Sequence, residues 1–292
     1  MQLEELVFFI AAIAAGYFAA RFRFVSEDTE NILPQVLIHV CYPAMILTSF
    51  SQIDLHTLLA TGATVLIATL AITLALYLLS GVLFRKAPAD RRPLQRFQAG
   101  IGNVAYVAIP LLSVFLNPSA IPIAMIHGSA QDLLIWSLYY PLFVGAGRSS
   151  AKDVLKKLFT APCIIALLLG ILLKVLNVSI PELLLPTIEK IGAAAAPLAL
   201  IYLGLMIHRF GLFRWVRNAA AIRYSVYKVL LLPLAVALLL LPFCDRQTAI
   251  LLAILFGSPA PIMSIIWSGN YGGDVPYAID CCIGSTLLYL VL

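Results

Sequence analysis

Apolar residues run along the chain in long blocks, separated by short polar or basic stretches. The blocks predict ten helices, near residues 5–20, 32–51, 58–84, 96–116, 120–146, 160–177, 187–208, 221–241, 248–266 and 274–292. A helix needs about 20 residues to cross the hydrocarbon of a bilayer. The first block is short unless Glu4 and Glu5 lie at the interface, and the third is long enough to tilt. Leu6 to Ala20 reads as a retained helix, because further spans follow it.

Composition turns this pattern into a class. Of 292 residues, 62% are hydrophobic and 11% charged, against about 25% charged in a soluble domain. Mean hydropathy is +1.00. A water-soluble globule could not cover so much apolar side chain, so the reading is an all-α polytopic membrane protein.

The net charge of +5 would suggest nucleic acid in a soluble protein. Here the basic residues follow the connections instead. Fifteen lie in alternate connections: Arg21 and Arg23; Arg85, Lys86, Arg91, Arg92 and Arg96; Arg148, Lys152, Lys156 and Lys157; Arg209, Arg214, Arg217 and Arg223. Three lie on the other side, Lys174, Lys190 and Arg246, and Lys228 falls inside a span. Basic connections face the cytoplasm, which places both termini on the non-cytoplasmic side. The five cysteines form no metal-ligand cluster, and Cys281–Cys282 reads as packing.

Ten spans divide into five and five, with the second set upside down. Gly16 and Gly170, Pro43 and Pro197, and Pro122 and Pro276 are each 154 residues apart, in corresponding spans, and Gly102 and Gly257 are 155 apart. The expectation is a 5+5 inverted repeat, residues 1–150 and 151–292, the architecture of alternating-access carriers. Span 4 contains Gly100, Gly102, Asn103 and Pro110, and span 9 contains Gly257, Ser258, Pro259 and Pro261. Proline lacks an amide hydrogen, so carbonyls a turn earlier lose their partners and need a donor, a cation or water. Spans 4 and 9 are therefore expected to be broken and crossed, with free amides and carbonyls near the midplane.

These residues resemble a bacterial member of the auxin efflux carrier family, the relatives of the plant PIN proteins. The family's Asn followed by Gly-x-Pro appears as Asn103 with Ala108-Ile109-Pro110, alanine replacing glycine. Its second motif appears as Pro259 followed by Tyr271-Gly272-Gly273-Asp274, and its terminal motif as Thr286-Leu287-Leu288. Met263 and Tyr289 depart from the polar residue and the serine usual in relatives. The resemblance covers the whole chain. It implies a fold similar to that of the bile-acid sodium symporters, with a support part of helices 1, 2, 6 and 7 and a transport part of helices 3–5 and 8–10. The ligand would sit at the crossing. It also implies a bacterial inner-membrane protein carrying an organic anion, auxin-like or a dicarboxylate such as malate or malonate.

Polar residues within the spans supply the candidate chemistry. Asn103 can donate to a carboxylate or bond a neighbouring helix. With it as substrate-binding candidates go Tyr106, Pro110, Ser258 and Pro259. Tyr139 and Tyr140 line a pocket or simply pack. Asp132 lies about 15 Å along its helix from Ile121, too deep for the interface. A carboxylate there suggests an ion or proton path, or a structural pairing. His127, which shares a face with Gln131, and Asp280 complete the coupling candidates. Lys228 either snorkels to the surface or pairs. Glu189 and Lys190 mark an interface.

The leading reading is a secondary carrier without a cofactor, coupled to protons or to sodium, since no Walker A motif is present. Expected partners are a small organic anion, the lipid bilayer and a second copy through the support part, and no nucleic acid. A membrane-embedded enzyme or a ligand sensor is the alternative of another class. His39, His56, His127 and His208 are scattered over four regions, with no spaced metal pair on one helix, which weighs against the enzyme.

Overall fold

The computed structural model describes residues 3–26, 29–52, 55–109, 111–112, 120–145, 151–211 and 213–291. Every regular element among them is helical. Among the described residues, four helices are long and apolar enough to cross a membrane: Ile32–Phe50, Leu59–Leu83, Leu185–Phe210 and Ala219–Leu240. Shorter apolar helices are Ile10–Arg21, Pro162–Val175, Arg246–Phe256 and Val275–Val291.

Among the described residues, four crossing-length helices stand where ten were expected. The reason lies in the backbone. Apolar blocks that read as single spans are cut into pieces too short to cross. The block from 96 to 116 takes in the end of Arg92–Gly100, a non-helical stretch at residues 101–103 and a π-helical turn, Val104–Ala108. The block from 248 to 266 is interrupted at residues 257–262, between Arg246–Phe256 and Met263–Tyr271. At 1.5 Å per residue, the 14 residues of Pro162–Val175 reach about 21 Å, short of a hydrocarbon core of about 30 Å.

The 5+5 inverted repeat is also corrected, because no such topology emerges. Two of the four matched spacings have local explanations. Pro122 and Pro276 both lie in the first turn of a helix, where proline's missing N–H costs nothing. Gly16 meets the backbone of Ile201, whereas Gly170 meets the ring of Phe50. The expected boundary at residue 150 lies outside the described residues.

Chain contacts instead define two compact units, each drawing segments from both halves: residues 1–60, 105–125 and 160–212, and residues 61–104, 126–159 and 213–292. In the first, the Leu3–Arg21 helix lies along Ala195–Phe210 through small residues. A side chain at Gly16 would collide with the Ile201 carbonyl, and one at Gly204 with the Ile13 carbonyl. Without a hydrophobic force between helices in lipid, such close backbone approach supplies the packing. In the second, Leu94, Phe97, Ile101, Tyr139, Phe143, Trp267, Tyr277 and Cys281 form a core. Phe97 stacks on Trp267 with centroids 5.1 Å apart. Leu66, Ile67, Leu74, Leu78 and Leu79 are exposed on Leu55–Leu83, as suits a lipid-facing helix.

Prolines shape the helices further. Three π-helical turns, Leu37–Cys41, Ile135–Tyr139 and Tyr227–Leu231, each run directly into a residue followed by proline: Pro43, Pro141 and Pro233. In each, the residue before the proline donates its N–H five residues back, Tyr42 to Leu37, Tyr140 to Ile135 and Leu232 to Tyr227. A proline ring crowds the carbonyl four residues earlier, and a wider turn relieves that contact.

Candidate functional site

The two helix interruptions meet in the second unit. Asn103 N–H donates to the Pro259 carbonyl at 2.7 Å. The approach requires glycine at 102, where a Cβ would collide with the Ser258 hydroxyl. Ser258 is itself buried and donates to the Leu255 carbonyl at 2.6 Å. Asn103, Ser258 and Pro259 therefore lie together.

Each interruption exposes backbone groups that hydrocarbon cannot satisfy. Side chains from neighbouring helices take them. Tyr224 and Tyr227 donate to the carbonyls of Gln98 and Ala99, both at 3.1 Å. Gln131 reaches both sides of the first interruption, through Gly100 O and Gly102 N, at 3.4 Å each. On the second, Ser285 Oγ accepts from Ala260 N–H at 2.9 Å. The Cys282 thiol lies 3.6 Å from Ala260 O and 3.5 Å from Pro261 O. Gln98 Nε2 donates to Ser264 Oγ at 3.1 Å and so ties the two interrupted segments together.

Asn103 is different. It is 4% exposed, and its side-chain amide hydrogen-bonds to no described residue. Its amide oxygen and nitrogen are not fully enclosed, which leaves them open to a ligand or water.

The other candidates are dispersed. Tyr106 belongs to the first unit, where its hydroxyl is 3.5 Å from Pro34 O and its ring packs near Tyr42 and Tyr202. Pro110 lies outside the described residues. Asp132 follows Gln131 on the Ala120–Leu134 helix, is half-buried, and has no described hydrogen-bond or ion-pair partner. His127 is fully buried, its Nδ1 2.9 Å from Thr69 Oγ1 and its ring edge-on to Phe256.

Asp280 is held structurally. Asn218 Nδ2 donates to Oδ2 at 2.9 Å, and Arg214 Nε lies 3.0 Å from Oδ1 as an ion pair rather than an aligned hydrogen bond. Asn218 also caps the Ala219–Val226 helix, so Asp280 fastens that helix start to Val275–Val291. Lys228 is fully buried, so its ammonium does not reach the surface. Glu189 and Lys174 line a cavity of about 360 Å³ in the first unit, with Phe50 and Gly170.

A family model described as "Membrane transport protein" matches residues 1–292, the entire chain. The chain belongs to that family, the auxin efflux carriers. This carrier is therefore a multi-pass membrane transporter of the secondary type and not an enzyme. No curated protein sequence matches it.

Reading the sequence missed the residues that serve the carrier's interrupted backbone: Gln98, Tyr224, Tyr227, Cys282 and Ser285. A signal was present. Tyr224 and Tyr227, and Cys282 and Ser285, are polar pairs three apart, which share a helix face. Cys282 is more than apolar packing, since its thiol reaches two carbonyls.

Proposed function

We propose that this transporter carries a small organic anion, an auxin-like acid or a dicarboxylate such as malate, and binds it at the paired interruptions of the second unit. The observation that carries the reading is the Asn103 amide, on a residue only 4% exposed, which has two donor hydrogens and no described partner. Asn103 orients a carboxylate by donating to it, with Ser258 and Pro259 fixing the approach. Replacing Asn103 with leucine removes the donors while filling the space. A hydrogen bond to a charged group is worth about 1.5–3 kcal/mol, so affinity should fall roughly 10- to 100-fold. Ligand binding to solubilised protein across a dicarboxylate panel measures this, and counterflow in liposomes tests transport. Unchanged affinity in a folded Asn103→Leu variant removes Asn103 from the site.

Coupling to protons is favoured over sodium. A sodium ion at such interruptions is held by unwound backbone carbonyls. Here the carbonyls of Gln98, Ala99 and Gly100 already accept from side-chain donors, and the single Cys282 thiol hydrogen serves either Ala260 O or Pro261 O. Asp132 is the residue proposed to exchange the proton.

The transporter lies, on this reading, in a bacterial inner membrane with its basic connections toward the cytoplasm and both termini on the other side. Reporter fusions at each terminus check this, and a cytoplasmic signal from either one rejects it.

A further inference from the structure

The cavity of about 360 Å³ in the first unit has a chemistry of its own. Two helices, Pro162–Val175 and Leu185–Ala193, both pack on Tyr42–Gln52. They approach it closely at Gly170, where a Cβ would press on the Phe50 ring, and at Gly192, where one would meet the Met45 backbone. From Gly170 and Phe50 the cavity runs to the connection between the two helices, at residues 177–180. That connection is shaped to wall it. Asn177 has φ 53°, a left-handed conformation that asparagine tolerates, and Val178 N–H turns back to the Leu173 carbonyl at 2.9 Å. The helix ending thereby brings Leu173, Lys174, Asn177 and Val178 onto one cavity.

Lys174 and Glu189 bring opposite charges to it, each from a half-buried residue. They line the same cavity, yet no ion pair within 4 Å joins them, and neither side chain has a hydrogen-bond partner among the described residues. Two unlike charges kept apart on one cavity match a molecule that carries both, its anion toward Lys174 and its cation toward Glu189. A cation with N–H groups suits Glu189 best, because a carboxylate accepts them as charge-assisted hydrogen bonds. The surroundings indicate the source of that molecule. Val178 lines the cavity and is 52% exposed, and Leu176, Leu183 and Leu184 of the same connection are exposed as well. Apolar surface therefore continues from the cavity to the outside, where in a membrane transporter it meets lipid. The volume is at the low end for ligand sites, about 300–1,000 Å³. It suits a headgroup and leaves two acyl chains to lie outside, along the exposed leucines.

We propose that this cavity binds the headgroup of a phospholipid that carries an ethanolamine ammonium, with the phosphate at Lys174 and the ammonium at Glu189. The site joins the ends of helices that pack on Tyr42–Gln52, so occupancy stabilises the first unit. The inference needs the membrane and not the identity of the cargo.

The test is thermal unfolding of the delipidated full-length transporter in detergent. It is titrated with phosphatidylethanolamine, phosphatidylcholine or phosphatidylglycerol, and separately with soluble phosphoethanolamine. Phosphatidylcholine keeps the cation but has no N–H to donate, and phosphatidylglycerol keeps the phosphate without the cation. Phosphatidylethanolamine should raise the midpoint saturably, by roughly 3 °C or more at tenfold excess over half-saturation, and the other two lipids much less. Lys174→Met and Glu189→Gln should each lose that preference and respond alike to phosphatidylethanolamine and phosphatidylcholine. Each variant decides alone, so failure of one to fold leaves the test in force. The proposal is overturned if the three lipids shift the wild type equally or not at all, or if a folded variant keeps the wild-type preference. A shift with soluble phosphoethanolamine alone also overturns it and assigns the cavity to a free zwitterion. Counterflow with dicarboxylates reads the cargo site separately, so loss of one reading leaves the other standing.

Discussion

Valine in place of Gly102 is expected to abolish counterflow and lower the unfolding midpoint. The first carbon of any side chain there would collide with the Ser258 hydroxyl and come within 3.2 Å of the Ser258 carbonyl oxygen. The hydroxyl cannot step aside cheaply, because it is fully buried and bonded to Leu255 O. The interrupted segments would have to separate, and the bond from Asn103 N–H to Pro259 O would stretch or break. Overpacking of this kind costs about 1–3 kcal/mol of stability. The effect on transport should be larger, since the displaced atoms belong to the proposed site. Alanine should be damaging too, by about tenfold or more in counterflow rate, for the collision begins at Cβ. Removing the obstacle should help: Gly102→Ala with Ser258→Ala should recover part of what Gly102→Ala loses. Such coupling between neighbours is what a double-mutant cycle detects. Normal counterflow in Gly102→Ala would show that the close approach is dispensable.

Asp132→Asn should keep substrate exchange and lose accumulation driven by a pH gradient. A carboxylate within a span is costly when charged unless paired or wetted. Asp132 has no described hydrogen-bond or ion-pair partner, so on this reading water must reach it whenever it carries charge. A conformation that dries the carboxyl favours its protonated form, and one that wets it favours release. That difference links conformation to the proton gradient by reciprocal coupling. One pH unit corresponds to about 1.4 kcal/mol, so a single proton supports up to about tenfold accumulation. The wild type should approach that ratio in sealed vesicles, and the Asn variant should stay near one. Asparagine nearly preserves the shape, so exchange should continue. Retained pH-driven accumulation would remove Asp132 from the pathway. Loss of sodium-driven accumulation instead would keep the residue and change the ion.

The membrane class was plain in the sequence because it depends on composition, and the family because its motifs are local. The number of crossing helices was not. Hydropathy records which side chains are apolar and is blind to whether the backbone stays hydrogen-bonded through them. Gly102 with Asn103, and Pro259 with Pro261, marked places where it does not, and Asn103 and Pro259 do meet. What the pattern lacked was any sign of the partners. Tyr224 and Tyr227 serve carbonyls 126 and 128 residues away, a relation that exists only after folding. Asp280 looked like an intramembrane charge because Arg214 and Asn218, its neighbours in space, are more than sixty residues away in sequence.

The π-helical turn Ile135–Tyr139 also resets the phase of its helix. In unbroken α-helix, positions 127 and 143 are sixteen residues apart and point about 160° away from each other. A π turn takes up one extra residue and reduces that angle to about 60°. His127, Gln131, Tyr139 and Phe143, all spaced by multiples of four, are accordingly all buried. In the polar half Gln131 serves the interruption while His127 meets Thr69, and the aromatic half joins Phe97 and Trp267. A helical wheel drawn at constant pitch would divide the stripe between opposite sides. The bulge before Pro141 thus behaves like an insertion absorbed in place, letting one helix face carry two kinds of contact in succession.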